Sequence, residues 1–446
     1  MTTGDDYAEA LRALAERGRF GVRLGLGRTR ALLRELGDPH LGIRGALVAG
    51  TNGKGSVLAL AAAAVRAAGL RAGETPKPHL VTYRERMQIA GRPVDPATFA
   101  ALTNRALSAA DHVSRRLGEP TEFELLTAMV FRWFADEGVD LALVEVGLGG
   151  RLDATHAWDG GVAAITNVDL DHTDRLGPTI AAIAREKAAI IERGDVAVTG
   201  ATGEALAIVR RRARRMGAPL TVVEPPPVVG LSRDGIEVEL PRLGRTFVGL
   251  RGRHQAANAA VAHALLDALG EAGIADVPDS DRFAGFAAAR WPGRLELLEV
   301  AGREVLLDGA HNPAGAAALA AALDDLRPFL RPGPITLVVA SMADKDVGGI
   351  VAALAAARAL EGARIVATRI DAPRALAADE LGAAWLAARP DVTVTVEPDP
   401  GAALGAAIAG ADGPVVVAGS LYLVGFARAR LVDDPLLRDP PEALAT

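Results

Sequence analysis

A glycine-rich turn, Gly50-Thr51-Asn52-Gly53-Lys54-Gly55-Ser56, lies between an apolar run at 46–49 and an Ala- and Leu-rich stretch at 54–68. The run reads as a buried strand and the stretch as a helix. Strand, glycine turn and helix in that order build a parallel sheet whose crossovers are helical. The turn also carries chemistry. Small residues let backbone N–H groups approach phosphate oxygens, and the helix N-terminus adds partial positive charge. Lys54 supplies a cation and Ser56 a hydroxyl suited to Mg²⁺. The spacing departs from GxxxxGK[ST], because Gly55 stands between Lys54 and Ser56.

The same alternation continues along the chain. Residues 141–146, 162–166 and 196–199 read as strands, and 121–135 and 180–192 as helices. Two short antiparallel strands, 236–240 and 246–250 around Pro241, interrupt it, and a helix at 255–269 follows. A second series has strands at 305–307, 335–339, 364–368, 392–396 and 415–418. The fold class is therefore α/β. The expected organisation is a nucleotide-binding domain with a mostly parallel sheet over 1–297 and a smaller Rossmann-like α/β domain over 298–446. The tail after Asp434 belongs to no motif and is expected to be mobile.

Composition excludes several classes. Of 446 residues, 49 are basic and 55 acidic, a net charge of −6 that argues against a nucleic-acid binder. There is no cysteine, which removes thiolate metal sites and cysteine nucleophiles together. Residues 1–18 lack the basic start and apolar run of a signal peptide. The longest apolar stretch near them, 57–65, falls well short of the ~20 residues that a span needs. A cytoplasmic monomer, off the membrane and acting on small molecules, is expected. Only four basic residues are lysine: Lys54, Lys77, Lys187 and Lys345. A chain this biased to arginine keeps lysine where a compact amine is needed, so each is a candidate site.

The glycine turn is one of a series of motifs. Others are Phe123-Glu124-Leu125-Leu126-Thr127-Ala128, the run from Glu145-Val146-Gly147 to Arg151-Leu152-Asp153-Ala154-Thr155, and Ile165-Thr166-Asn167-Val168 followed by Asp171-His172. Glu186-Lys187-Ala188, Gly252-Arg253-His254-Gln255 with Asn258, and Trp291-Pro292-Gly293-Arg294 come next. Leu307-Asp308-Gly309-Ala310-His311-Asn312-Pro313, Asp344-Lys345-Asp346 and Gly419-Ser420-Leu421-Tyr422 complete it. In this order the series resembles the Mur ligase superfamily, and within it the bifunctional folylpolyglutamate synthase/dihydrofolate synthase family. The resemblance implies a P-loop Mur-ligase-type central domain and a C-terminal glutamate-ligase domain.

It also implies an ATP-dependent amide ligase joining L-glutamate to 7,8-dihydropteroate, and to reduced folates, through an acyl phosphate. Folylpolyglutamate synthesis alone, or a Mur-type cell-wall ligase, stays open, as does a P-loop switch that forms no bond. ATP would lie on Thr51, Asn52, Gly53, Lys54, Gly55 and Ser56, with Asn258, Arg294, Asp308 and His311. Glu145, which ends a strand at the phosphate loop, is placed for a Mg²⁺ ligand. By resemblance Ser56, Glu145 and His172 hold magnesium, and Lys187 is carbamylated by CO₂ to give an anionic metal ligand. Lys54, Lys187, His172 and Glu145 form the catalytic group. The pterin end is assigned to Thr121, Glu122, Phe123, Glu124, Leu152, Asp153 and Ala154, with the segment 24–28. One position departs from the family. Lys77, in Thr75-Pro76-Lys77-Pro78-His79-Leu80, replaces a serine that lies near the metal. An ammonium cannot ligate Mg²⁺, so Lys77 contacts phosphate, Thr75 replaces the hydroxyl, or Lys77 points to solvent.

Overall fold

The computed structural model describes residues 3–18, 21, 23–372, 374–441 and 443. They form two compact units. The first comprises 1–226, 257–288 and 434–446, and the second 227–256 and 289–433. The chain thus passes from one unit to the other at four places, in contrast to the single cut expected at Leu297. The reason lies in two segments: the antiparallel strands before Gln255 belong to the second unit, and the C-terminal tail returns to the first.

The first unit is built on an eight-stranded sheet in the order Arg92–Pro93, Gln88–Ile89, Ala72–Thr75, Leu141–Glu145, Gly45–Ala49, Gly161–Ile165, Val196–Thr199, Leu220–Val222. The last six are mutually parallel. Gly45–Ala49 and Leu141–Glu145 are buried at every position, which is why they read as unbroken apolar runs. After Gly45–Ala49 the chain moves to one side of the sheet, and after Leu141–Glu145 it returns to the other. Such a switch opens a crevice at the carboxyl ends of the strands, where α/β proteins bind ligands.

The helix Lys54–Ala67 leaves that crevice and is buried from Ser56 through Val65. It packs against the helix Asp279–Ala288, and a Cβ on Gly285 would lie 2.4 Å from the Ala64 Cα. The alanines of 59–64 permit this close approach. The helix Glu122–Glu137 starts at a capping box, Thr121 with Glu124, and stops at Gly138 in the left-handed conformation. The helix expected over 180–192 is shorter, Ile180–Ala188.

In the second unit a six-stranded sheet runs Glu296–Val300, Arg303–Leu307, Val415–Ala418, Thr336–Val339, Arg364–Ala367, Thr393–Val396. Only its first pair is antiparallel. A separate antiparallel sheet joins Val228–Leu231, Ile236–Leu240 and Gly244–Val248. The middle strand matches the sequence reading, the last begins earlier, and the first had no signal beyond its position after Pro225-Pro226-Pro227.

The tail after Asp434 is not loose where it is described. Asp439 accepts hydrogen bonds from Tyr7 (3.0 Å), Thr82 (2.8 Å) and Arg84 (3.0 Å), fixing it to the first unit. Residues 442 and 444–446 of that tail lie outside the described residues. No described helix is long and apolar enough to cross a membrane.

Candidate active site

The turn at Gly50–Ser56 follows Gly45–Ala49 at the carboxyl edge of the sheet, as its sequence requires. Gly53 has φ of +81°, which glycine adopts without penalty, and a Cβ there would lie 2.2 Å from Asn258 Oδ1. Asn258, one of the expected ATP contacts, therefore lies directly against the turn. Lys54 Nζ donates to the carbonyls of Gly50 (3.0 Å) and Thr51 (3.1 Å).

The turn is held by a neighbour that sequence reasoning quoted without giving it a role. Thr51 N–H donates to the Asn167 carbonyl (3.1 Å) and Asn52 N–H to Asn167 Oδ1 (2.9 Å). Thr166 Oγ1 donates to the Asn52 carbonyl at 2.6 Å, and Asp169 N–H to Thr51 Oγ1 at 2.9 Å. Residues 166–169 thus set the shape of the phosphate loop. The signal was the scarcity of asparagine, of which Asn52, Asn167 and Asn258 meet here.

Lys187 is buried, and its Nζ donates to the Gly50 carbonyl at 2.8 Å. Burial, reinforced by the nearby charge of Lys54, lowers its pKa from the ordinary lysine value to about 7. The shift favours the neutral amine, the state that can react with CO₂. Gly150 makes room for it: a Cβ there would lie 2.7 Å from the Glu186 carbonyl and 3.3 Å from the Lys187 Cα. Arg151 then bonds Glu186 at 2.8 Å.

Glu145 is buried at the end of its strand, and its Oε2 accepts the Lys77 N–H at 2.8 Å. Lys77 Nζ donates to the Glu145 carbonyl and lies 5.1 Å from the centroid of the Phe123 ring. The reading of Lys77 as a solvent-pointing side chain is thus corrected, because the amine turns inward onto a carbonyl and a ring face. Burial lowers its pKa to about 8 against the opposing pull of Asp153 and Glu145.

His172 has φ of +49°, a conformation that non-glycine residues seldom adopt, and its ring is half exposed with Nε2 4.0 Å from Asp171. Among the described residues no three His, Cys, Asp or Glu side chains gather as a metal site. The expected set therefore depends on Ser56, which is buried, and on Lys187 as a carbamate. The Ser56 hydroxyl and Glu145 carboxylate are the hard oxygen donors that Mg²⁺ prefers, whereas the His172 imidazole is not one.

The three segments expected at the pterin end come together. Gly25 N–H donates to the Leu152 carbonyl at 3.3 Å, and Arg28 Nε to Glu124 Oε2 at 2.9 Å. Phe123 and Asp153 meet at Gly147, where a Cβ would lie 2.8 Å from the ring and 3.1 Å from Asp153 Oδ2. Some of these residues hold the loops in place. Asp153 Oδ2 accepts the Leu148 N–H and its Oδ1 the Thr155 N–H, and Thr121 caps the helix Glu122–Glu137. Glu122 approaches the helix Thr3–Gly18, its Oε2 standing 2.9 Å from where a Cβ on Gly18 would lie. Ala154 is buried.

The second unit arranges its own candidates. Asp308 is buried and accepts from the N–H groups of Leu295 and Ala310, both at 2.9 Å. Burial raises its pKa, and Arg294 opposes the rise. The helix Pro313–Leu326 is capped by Asn312. Arg294 Nη1 donates to the Gly293 carbonyl at 3.0 Å, and His311 Nδ1 lies 2.8 Å from the Gly309 carbonyl.

This geometry has close counterparts. Residues 48–266 match the Mur ligase middle domain, and residues 293–421 the Mur ligase glutamate ligase domain. The dihydrofolate synthase/folylpolyglutamate synthase of Bacillus subtilis is 33% identical over 95% of this chain and 99% of that protein. The chain belongs to the dihydrofolate synthase/folylpolyglutamate synthase family of Mur ligases. A probable bifunctional folylpolyglutamate synthase/dihydropteroate synthase of Haloferax volcanii is 36% identical over 95% of this chain. The chain spans about half the length of that archaeal relative, 50%. The structure of Mycobacterium tuberculosis folylpolyglutamate synthase complexed with ADP superposes with a TM-score of 0.85 at 32% identity, covering 97% of this chain and 100% of that one.

Proposed function

We propose that this chain is an ATP-dependent amide ligase that joins L-glutamate to 7,8-dihydropteroate and to reduced folates. The observation that carries the proposal is the convergence of Lys54 and Lys187 on the Gly50 carbonyl within the unit where the segments 24–28, 121–124 and 152–154 meet. It is supported by the family and by a relative whose structure holds ADP.

In this reading a substrate carboxylate oxygen attacks the γ-phosphorus of ATP, forming an acyl phosphate and releasing ADP. The α-amine of glutamate attacks the acyl carbon, loses a proton, and expels inorganic phosphate as the amide forms. The backbone N–H groups of Gly53 to Ser56 and the Lys54 ammonium offset charge on the transferring phosphoryl group. Asn258 faces the turn from the adenine side. Ser56, Glu145 and His172, with Lys187 as a carbamate, would hold Mg²⁺, which supplies charge neutralisation at the phosphates. Lys187 reaches that state when its neutral amine adds to CO₂ and a proton is released. Phe123 and the 24–28 and 152–154 segments hold the pteroate, and Arg294, Asp308 and His311 are further proposed nucleotide contacts.

The test is release of ADP and phosphate by the purified chain. Release that requires both glutamate and dihydropteroate supports the ligase, and tetrahydrofolate in place of dihydropteroate reads the second activity. Hydrolysis or tight retention of nucleotide without either acceptor or glutamate would replace the ligase with a switch.

A further inference from the structure

The loop between Thr75 and Gln88 carries Lys77, His79 and Arg86, and it is a hydrogen-bonded body with two ends. At one end the Lys77 N–H bonds the Glu145 carboxylate. Within it, Glu85 accepts the N–H groups of Leu80, Val81 and Thr82, and Arg86 Nε donates to His79 Nδ1 at 2.8 Å. At the other end stands Arg84, 3% exposed. Its three nitrogens are spent on the Val94 carbonyl (3.1 Å), the Arg438 carbonyl (3.1 Å) and Asp439 Oδ1 (3.0 Å). The same Asp439 oxygen takes the hydroxyls of Thr82 at 2.8 Å and of Tyr7 at 3.0 Å. Thr82 is the residue that starts the helical turn Tyr83–Arg86. Two of the three groups fixed by this one carboxylate therefore belong to the loop, and the third to the N-terminal helix Thr3–Gly18.

We propose that Asp439, brought back from the far end of the chain, is a positioning residue that holds the loop 76–86 in its substrate-facing form. A buried guanidinium and two hydroxyls converge on it, so without the carboxylate the loop loses its outer anchor while Glu145 still holds the inner one. The inference rests on the proposed pteroate-binding role of the neighbouring segments. Its anchoring part stands without that role.

The experiment compares the full chain with Asp439→Asn, Asp439→Glu and Tyr7→Phe. Hydrogen exchange of the ligand-free protein is read at peptides covering 76–86 and, for reference, 54–67. Asp439→Asn is expected to speed exchange in 76–86 by about tenfold or more and leave 54–67 unchanged. KM for dihydropteroate should rise about tenfold, with KM for ATP within about twofold of the parent. Asp439→Glu should restore part of both, and Tyr7→Phe, which keeps Arg84 paired, should give a smaller change of the same kind. Unchanged exchange in 76–86 in both Asp439→Asn and Tyr7→Phe overturns the anchor. Faster exchange there with the two KM values moving together overturns the positioning role. A parent protein that ligates nothing overturns the proposed function, while the exchange arm still reads the anchor.

Discussion

Gly53→Ala isolates the contact on which the phosphate loop is built. Two costs add. The residue sits at φ +81°, where a side chain costs roughly 1–2 kcal/mol. The new Cβ would also lie 2.2 Å from Asn258 Oδ1, well inside the 3.0 Å that real Cβ contacts respect. Asn258 is only 8% exposed and cannot swing aside freely. Together these should cost on the order of 3 kcal/mol in the conformation that binds nucleotide, weakening ADP by about a hundredfold. The assay is ADP titration calorimetry on a double-mutant cycle with Asn258→Ala. In the Asn258→Ala background only the backbone cost remains, so Gly53→Ala should then weaken ADP by about tenfold. Equal effects of Gly53→Ala in the two backgrounds would refute the steric argument. An unaltered ADP affinity in the single variant would remove the turn from nucleotide binding altogether.

Lys54→Ala should lower ligation by about 10³-fold or more with little change in melting temperature, checked by turnover and calorimetric scans. Lys187→Arg keeps the charge and loses the amine that can react with CO₂; it should be nearly inactive and lack the carbamate resonance seen with ¹³C-labelled CO₂. An active Lys187→Arg enzyme would return the residue to a plain buried cation. Lys77→Ser restores the hydroxyl common in the family and removes an inward-turned amine; kcat/KM for ATP should fall about tenfold at limiting Mg²⁺ and recover at excess, and a Mg²⁺ titration superimposable on the parent's would refute this. Glu74 is buried, and desolvation raises its pKa to about 7 against Arg66 and the Gly91 N–H. Between about pH 4.5 and 7 the folded chain keeps a proton that the unfolded chain has lost, so this group's stabilisation is full at the acid side and fades as pH rises. Glu74→Gln should flatten that decline in denaturant melts by a few kcal/mol, and an unchanged slope would show that Glu74 is ionised in the fold.

The parts legible in the sequence are those where one local rule dominates. Buried parallel strands such as Gly45–Ala49 and Val415–Ala418 are continuous apolar runs, and the structure places them within a residue of the reading. The lysines were legible for a chemical reason, since an arginine-rich chain keeps amines where guanidinium does not fit. Lys54 depresses the pKa of both Lys77 and Lys187, so three of the four act in one electrostatic neighbourhood. Roles set by distant partners were not legible. Asp439 follows Arg438 in a stretch of ordinary polar composition, and its three partners lie more than 350 residues away. Asp308 ends a strand just before Asn312-Pro313, and only the folded loop shows that it accepts the N–H groups of Leu295 and Ala310 while Asn312 caps the helix. Asn167 carried a motif but no role, because its task is to shape a loop more than a hundred residues upstream.

The long-range Asp439 contact also sets an order of assembly. A ribosome delivers the chain from the N-terminus, and domains generally fold as their segments emerge. Here all eight strands of the first unit's sheet are laid down by Val222, yet the carboxylate that neutralises its buried Arg84 comes more than 350 residues after it. Until residue 439 has been made, buried Arg84 lacks its Asp439 partner, and the unit can form its sheet without completing the outer anchor of the loop 76–86. The loop is therefore anchored late in synthesis, and a truncation before Asp439 would keep every motif of the family and lose the carboxylate that holds the loop.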